Sequence, residues 1–78
     1  MTHLQWAVYV FIRDHIGMHG VSPTYQEITD EIGLSSRSHA YKIVKRLSSL
    51  SYLKTTGTQE RNIMLGDING EQERQETQ

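Results

Sequence analysis

The side chains of this sequence best suited to chemistry are cations, and most of them fall in one third of the chain. Residues 37–61 contain six Lys and Arg against one acid, Glu60, although the whole 78-residue chain has a formal charge of −1. Long cationic side chains gathered in this way bind phosphate groups, and lysine and serine can also donate to base edges. The pattern favours a nucleic-acid ligand.

Acidic residues are concentrated at the C-terminal end, so the net charge of the whole chain does not reveal the basic segment. Residues 66–78 hold four acids and one base, whereas residues 1–65 hold five acids and seven bases. The segment after Leu65 has one isoleucine and no aromatic residue, which is too little apolar surface to offset its ordering entropy. We therefore expect one domain over residues 1–66 and a disordered acidic tail over residues 67–78.

Enzymatic and metal chemistry find little support. There is no cysteine, which excludes a thiolate zinc site and a cysteine nucleophile. His15 and His19 have the four-residue spacing of a helical metal site, but no third ligand accompanies them, so we expect surface or partly packed histidines. Paired catalytic carboxylates, a nucleophile with its base and a glycine-rich phosphate loop are also missing from the sequence. We predict no enzyme activity, no cofactor and no metal.

The hydropathy of the chain bears on where the protein is located. The apolar runs fall short of the roughly 18 residues that a membrane span needs. No basic segment followed by an apolar one marks a secretory signal near the N-terminus. We expect a cytoplasmic protein of a bacterial or phage-infected cell, without a membrane partner.

Two helices are predicted before the basic segment. The first runs from Leu4 to about His19, with one apolar stripe made of Leu4, Val8, Phe11, Ile12 and Ile16. The second is short. Thr24 and Glu27 have the spacing of a capping box, and Gly33 marks its end because glycine adopts the left-handed conformation at little cost.

The third helix carries most of the basic side chains. Ser35 and Ser36 both offer an N-cap, so the helix is expected to start at Ser36 or Arg37 and to run to about Ser51. At 100° per residue one side consists of the apolar Ala40, Ile43, Val44 and Leu47 together with Ser51, and Leu50 flanks it. The opposite side consists of Ser38, Lys42, Lys45 and Ser49. The helix therefore offers one face to a core and a basic face to a ligand.

After this helix the period changes to that of strands. Residues 52–56 and 61–65 alternate roughly, and the intervening "GTQE" has turn chemistry, so a β-hairpin is predicted. Helix, short helix, tight turn, helix and hairpin is the order of a winged helix-turn-helix, a mostly α fold with a small two-stranded wing. In this fold the short helix braces the next one, which enters a DNA groove.

Over residues 4–65 the chain resembles the DNA-binding domain of the LexA repressor family. The motifs behind the resemblance are "IRDHI" (12–16), "GVSPT" (20–24), "EI" (27–28), "IGLSS" (32–36), Leu47, Arg61 and Ile63. The resemblance implies a repressor domain whose third helix enters the major groove and whose wing meets phosphate. It does not extend to the family's peptidase domain. Where the family has two glutamates in the reading half of the helix, this chain has Tyr41 and Lys42, so we expect a different operator.

The predicted contacts with double-stranded DNA lie on the third helix and the hairpin. The first turns of the third helix are placed to contact the edges of DNA bases. Its remaining basic residues and the hairpin are placed to contact phosphate. The predicted residues are Ser36, Arg37, Ser38, His39, Tyr41, Lys42, Lys45, Arg46, Lys54, Thr56, Thr58 and Arg61. The alternatives are a solvated face for the lysines, packing beside the wing for Tyr41, and ordinary turn chemistry for the hairpin residues.

Trp6 and Val10 are not explained by a single core stripe on the first helix. They lie four residues apart, roughly opposite Val8 and Ile12, and form an apolar patch. The patch is expected to be a protein interface, most simply of a homodimer on a two-part operator, unless Trp6 folds over the edge of the core. It leaves a second function open, a winged helix that binds a protein as an inhibitor or adaptor. DNA affinity that depends strongly on salt would favour the first function.

Removal of residues 67–78 is predicted to leave the melting temperature nearly unchanged, because this segment has almost nothing to bury. The truncation also removes four acids and one base, a net negative charge that competes with phosphate for the basic face. Non-specific binding to duplex DNA should therefore tighten modestly. Thermal melting and a DNA titration test the two effects, and a clear drop in melting temperature would contradict the expected disorder.

Overall fold

A computed structural model describes residues 1–56 and 62–66. The elements are α1 (His3–His19), α2 (Tyr25–Ile32), α3 (Arg37–Ser49), β1 (Leu53–Thr55) and β2 (Ile63–Leu65). The two strands pair antiparallel, with Leu53 opposite Leu65. The predicted winged helix of three helices and a two-stranded hairpin is confirmed. The predicted hairpin turn, Arg61 and the predicted acidic tail lie outside the described residues. Within the described part, no helix is long and apolar enough to cross a membrane.

Helix α2 begins and ends where the sequence predicts. The backbone N–H of Glu27 donates to the Thr24 hydroxyl at 3.0 Å, and the N–H of Thr24 donates to the Glu27 carboxylate at 2.8 Å. At the other end Gly33 has φ 84° and donates to the carbonyl of Thr29. Each end is thus satisfied by residues only a few positions away, which is why its bounds could be read from the sequence.

The bounds of the other two helices differ slightly from the expectation. Thr2 and Gln5 form a second capping box, so α1 begins before Leu4. Helix α3 ends at Ser49 rather than near Ser51, which takes a left-handed φ of 69°. There the N–H of Ser51 donates to Ser48 O and that of Tyr52 to Leu47 O, both at 3.0 Å. These bonds satisfy the last helical carbonyls and turn the chain into β1.

The core lies where the three helices meet the base of the hairpin. Its buried residues are Val8, Tyr9, Ile12, Ile28, Ala40, Ile43, Val44, Leu47, Leu53 and Ile63. All the apolar positions predicted for the inner side of α3 are among them. The predicted outer side of α3 is exposed, so the two faces are confirmed within the helix. The placement of Ser51 on the core side is wrong, because the helix ends at Ser49 and the left-handed turn leaves Ser51 exposed.

In α1 the predicted apolar stripe needs correction. Leu4 is 38 % exposed, whereas Tyr9, which was not assigned to the core, is 4 % exposed. Tyr9 is drawn inward because its ring packs edge-on against Tyr52, which precedes β1, with centroids 5.5 Å apart. Val10 also packs against the core, so the expectation that the core does not need Val10 is wrong. Trp6 remains 49 % exposed.

Gly66, just after β2, should resist substitution because it is pressed against backbone. Its N–H donates to Tyr52 O at 2.9 Å, and an added Cβ would overlap the Ser51 carbonyl oxygen. Gly66→Ala is expected to lower the free energy of unfolding by roughly 1–3 kcal/mol, because backbone atoms cannot rotate away. Gly17→Ala is the control. It adds a Cβ in α1 with nothing within 4 Å and should stabilise by up to about 1 kcal/mol. Denaturant unfolding of both variants measures the difference, and equal effects would contradict the packing.

Candidate nucleic-acid interface

The outer face of α3 brings together most of the residues predicted to bind DNA. Its N-cap and exposed positions include Ser36, Arg37, Ser38, Tyr41, Lys42, Lys45 and Arg46, while His39 is half-buried. The Ser36 hydroxyl accepts from the His39 N–H at 3.3 Å and so fixes the first turn of the helix. The residues of α3 predicted to contact DNA therefore lie on its solvent-facing side, except for the half-buried His39.

This surface carries positive charge, and no carboxylate lies near it in the sequence. Residues 32–59 contain no Asp or Glu. Among the described residues, no carboxylate pairs with Lys42, Lys45 or Arg46, whereas Arg13 on α1 pairs with Asp14 at 3.2 Å. Exposed cations that bind DNA phosphates displace the counterions condensed on the DNA. This release of counterions supplies a large share of the affinity for duplex DNA.

Thr29 in α2 sets the start of α3. It is 7 % exposed, and its hydroxyl lies 2.7 Å from the carbonyl oxygen of Tyr25 and 3.4 Å from that of Ser36. The carbonyl of Thr29 accepts from the N–H groups of Gly33 and Leu34, both at 2.9 Å. One residue thus holds the end of α2, the tight turn and the N-cap of α3 together.

Tyr25 connects α2 to α3 and to the hairpin. Its hydroxyl donates to the side-chain oxygen of Asn62 in the hairpin at 3.3 Å, and its ring meets Tyr41 of α3 edge-on, with centroids 5.7 Å apart. Burial raises the pKa of Tyr25, the nearby Tyr41 adds to the rise, and the bond to Asn62 opposes it. Tyr41 is still 51 % exposed, so it packs on one side and faces solvent on the other.

The base of the hairpin is anchored by buried polar groups. Asn62 is 8 % exposed, and its backbone carbonyl accepts from the Thr56 N–H at 2.9 Å. The N–H of Ile63 lies 3.4 Å from the hydroxyl of Ser22, which is 3 % exposed. Lys54 and Thr56 are exposed on the first arm of the hairpin. Thr58 and Arg61, the other predicted hairpin contacts, lie outside the described residues.

Comparison with known proteins agrees with this arrangement. A sequence model of the LexA DNA-binding domain matches residues 1–62. The chain belongs to this family. It is 36 % identical to the LexA repressor of Syntrophobacter fumaroxidans over 55 residues, which is 70 % of this chain and 27 % of that protein.

Two further relatives have a similar extent. LexA repressor 2 of Pseudomonas putida is 34 % identical over 67 residues, 86 % of this chain and 33 % of its own length. The LexA repressor of Limosilactobacillus fermentum is 42 % identical over 53 residues, 68 % of this chain and 26 % of its own length. The LexA DNA-binding domain described here therefore spans about a quarter to a third of these curated relatives.

The residues that orient this LexA domain were missed by sequence reasoning. Ser22, Thr29 and Asn62 stand in no pattern that singles them out, and Tyr25 shares an apolar helix face with Ile28 and Ile32 by its spacing. A tyrosine on such a face is a signal, because a buried hydroxyl needs a partner. The partner is 37 positions away in the sequence, and no local pattern indicates it.

The two histidines of α1 are partly accounted for by local contacts. Nδ1 of His15 lies 2.8 Å from the carbonyl oxygen of Val21, and the ring centroids of His15 and His19 are 4.5 Å apart. Within residues 1–56 and 62–66, no group of three or more His, Cys, Asp or Glu could hold a metal ion.

Tyr25→Phe tests the link between α2 and the hairpin of the LexA domain. Loss of the bond to Asn62 should lower the free energy of unfolding by about 1 kcal/mol. The unfolded chain ionises at the ordinary pKa of 10.0, and the folded pKa lies higher. The neutral hydroxyl therefore stabilises the fold below pH 10.0, and this contribution is lost as pH rises through the folded pKa.

The free energy of unfolding should consequently fall more steeply above that pH in the native chain than in Tyr25→Phe. Denaturant unfolding at a series of alkaline pH values measures the slope. Tyr41→Phe is the matched control, since it leaves the bond between Tyr25 and Asn62 in place. In this variant most of the alkaline fall in the free energy of unfolding should remain. Identical slopes for the native chain and Tyr25→Phe would contradict the buried environment of this hydroxyl.

Proposed function

We propose that this chain is a sequence-specific regulator of transcription, a repressor, that binds double-stranded DNA with α3 in the major groove. The observation behind the proposal is the exposed basic face of α3, held at a set angle by α2 in a LexA DNA-binding domain. The curated relatives are named repressors, and repression follows when a bound protein covers a promoter. A protein that acts on bacterial or phage DNA works in the cytoplasm.

The first turns of α3 supply the contacts with bases. Ser38, His39, Tyr41 and Lys42 lie in the half of the helix that approaches base edges in this fold. Lysine donates to O6 and N7 of guanine, and serine donates to several bases. Lys42 is exposed and lies on the side of α3 opposite the buried Val44, so it is the strongest candidate for a base contact.

The remaining cations supply the contacts with phosphate. Arg37, Lys45 and Arg46 are exposed along α3, where the groove walls carry the DNA backbone. Lys54 and Thr56 approach the backbone from the hairpin, and Thr58 and Arg61 complete this set. Phosphate contacts fix the position and orientation of a protein on DNA, while base contacts select the sequence.

Two copies are needed for a selective repressor. A single module of this size makes too few base contacts to distinguish its operator from the rest of a genome. Two copies on a two-part operator double the contacts, and the spacing of the half-sites reflects the symmetry of the pair. The alternative of a winged helix that binds only a protein is not favoured, because the family is defined by DNA binding.

Selection of bound duplexes from a random pool tests the function and supplies the operator. A repressor of this type should enrich a site with two related halves. The logarithm of its affinity should fall linearly with the logarithm of salt concentration, since each neutralised phosphate contributes to the slope. Enrichment of no sequence, together with affinity that ignores salt, would contradict the proposal.

Lys42→Ala is predicted to weaken binding to the selected operator by roughly 1–3 kcal/mol and to relax the preference at one or two base pairs. Arg13→Ala is the control, because it removes the same charge from the exposed surface of α1. It should leave the base preference unchanged. Titrations against the operator and its single-base variants separate the two roles. A uniform loss across all sequences would assign Lys42 to phosphate instead.

A further inference from the structure

Helix α1 carries a second stripe without charge on the side away from the core. His3, Trp6 and Ala7 recur at the three- and four-residue steps of one helical face, beside Val10, which packs against the core. Residues 1–12 contain no Lys, Arg, Asp or Glu, although Trp6 and Ala7 are exposed. Solvent-facing helix surfaces normally carry charged side chains. Loss of charge together with Trp and Met is the composition of interface centres.

Trp6 rests on a buried aromatic ring and so has the position of an anchor. Its ring lies 5.6 Å from that of Tyr9, at an interplanar angle of 32°, and Tyr9 packs in turn against Tyr52 at 5.5 Å. Tyr9 is 4 % exposed, so the support beneath the indole belongs to the core, while Trp6 itself is 49 % exposed. An aromatic side chain supported from beneath by the core has fewer conformations to lose when a partner covers it.

A groove of 310 Å³ lies beside this anchor. It is lined by Met1, Thr2, His3, Trp6 and Ala7. A projecting aromatic ring and a concave surface therefore occupy the same small patch. In a two-fold symmetric interface each copy must offer both halves of the contact, since residue i of one copy meets residue j of the other and the reverse. The patch meets this requirement by itself.

We propose that this patch, formed by Met1, His3, Trp6 and Ala7, joins two copies of the chain in a two-fold contact. Each Trp6 enters the groove of the other copy, and the two α1 helices approach at Ala7, whose small side chain allows a close crossing. The proposal rests on the proposed function in one respect: the two copies occupy neighbouring half-sites of one operator. The exposed cations of α3 do not line the groove, so this contact leaves them available to DNA.

The size of the patch indicates when the contact forms. The exposed parts of Met1 and Trp6 amount to a few hundred Å² per copy, well short of the roughly 800 Å² per partner of a stable complex. The pair is therefore weak in free solution. On DNA the second copy is held next to the first at an effective concentration on the order of millimolar, at which a small interface is sufficient. The patch acts as a source of cooperativity.

Ala7→Glu with Met18→Glu as its control tests the proposal. Both place the same charge on an exposed position of α1, Met18 being 78 % exposed and absent from the groove lining. Neither position is in the core, and glutamate is a good helix former, so both variants should melt like the native chain. Trp6→Glu is a second variant that removes the anchor itself.

The measurement is binding to duplexes with one or both halves of the selected operator. The native chain and Met18→Glu should fill the second half-site about tenfold or more tightly than an isolated half-site. In Ala7→Glu and Trp6→Glu this ratio should fall to near one, while affinity for the isolated half-site stays within about twofold of Met18→Glu, the loss being confined to the contact between copies. Equal cooperativity in Ala7→Glu and Met18→Glu, or none in the native chain, would overturn the proposal.

Failure of the proposed function has a different signature. If the native chain bound no half-site, the proposed DNA binding would be wrong, and the titrations would say nothing against the contact between copies. Sedimentation equilibrium of the same proteins at millimolar concentration then measures self-association without DNA. Self-association should appear in the native chain and in Met18→Glu and be lost in Ala7→Glu. A native chain that stays monomeric there would overturn the contact independently.

Discussion

The burial of one face of α3 is the constraint on which the rest of the molecule depends. Ala40, Val44 and Leu47 are at most 1 % exposed, and three such positions fix the rotation of the helix about its axis. That rotation decides that Lys42 and Lys45 face solvent. A turn of the helix by one residue would bury a lysine without a partner at a cost of several kcal/mol. The core therefore determines the DNA-facing surface without any contact with DNA.

Apolar packing alone would leave the hairpin poorly oriented. Leu53 and Ile63 bury its base, but apolar contact has little directional preference. Direction comes from the polar contacts of Asn62 with Tyr25 and of Ser22 with the backbone of Ile63. The contact of Ser22 is buried and that of Tyr25 is partly buried, and an unmade hydrogen bond costs more in such places than on the surface. Helix α2 is thus the common reference for α3 and for the hairpin, which is why so short a helix is retained.

Features set by neighbours in sequence could be predicted, and those set by distant contacts could not. The capping box of Thr24 and Glu27 spans three residues, and the two faces of α3 follow from its period, so both were predictable. The burial of Tyr9 depends on Tyr52 and was missed. Exposure of Lys42 and Lys45 was also predictable, since both lie opposite the apolar side of α3. The order of bases that the candidate DNA-binding residues would read depends on side-chain rotamers set against a partner, and neither periodicity nor burial specifies these.

The contact between Tyr25 and Tyr41 has a consequence for how such a domain can evolve. Ser38 and Lys42 are exposed, and neither contributes to the core. Exchange of either residue is therefore nearly neutral for folding, and a duplicated copy can drift toward new targets at these positions. Tyr41 is different, because its ring also supports the tyrosine that anchors the hairpin. A change there alters recognition and architecture together, so diversification should proceed first at the flanking positions and only later, with compensation, at Tyr41.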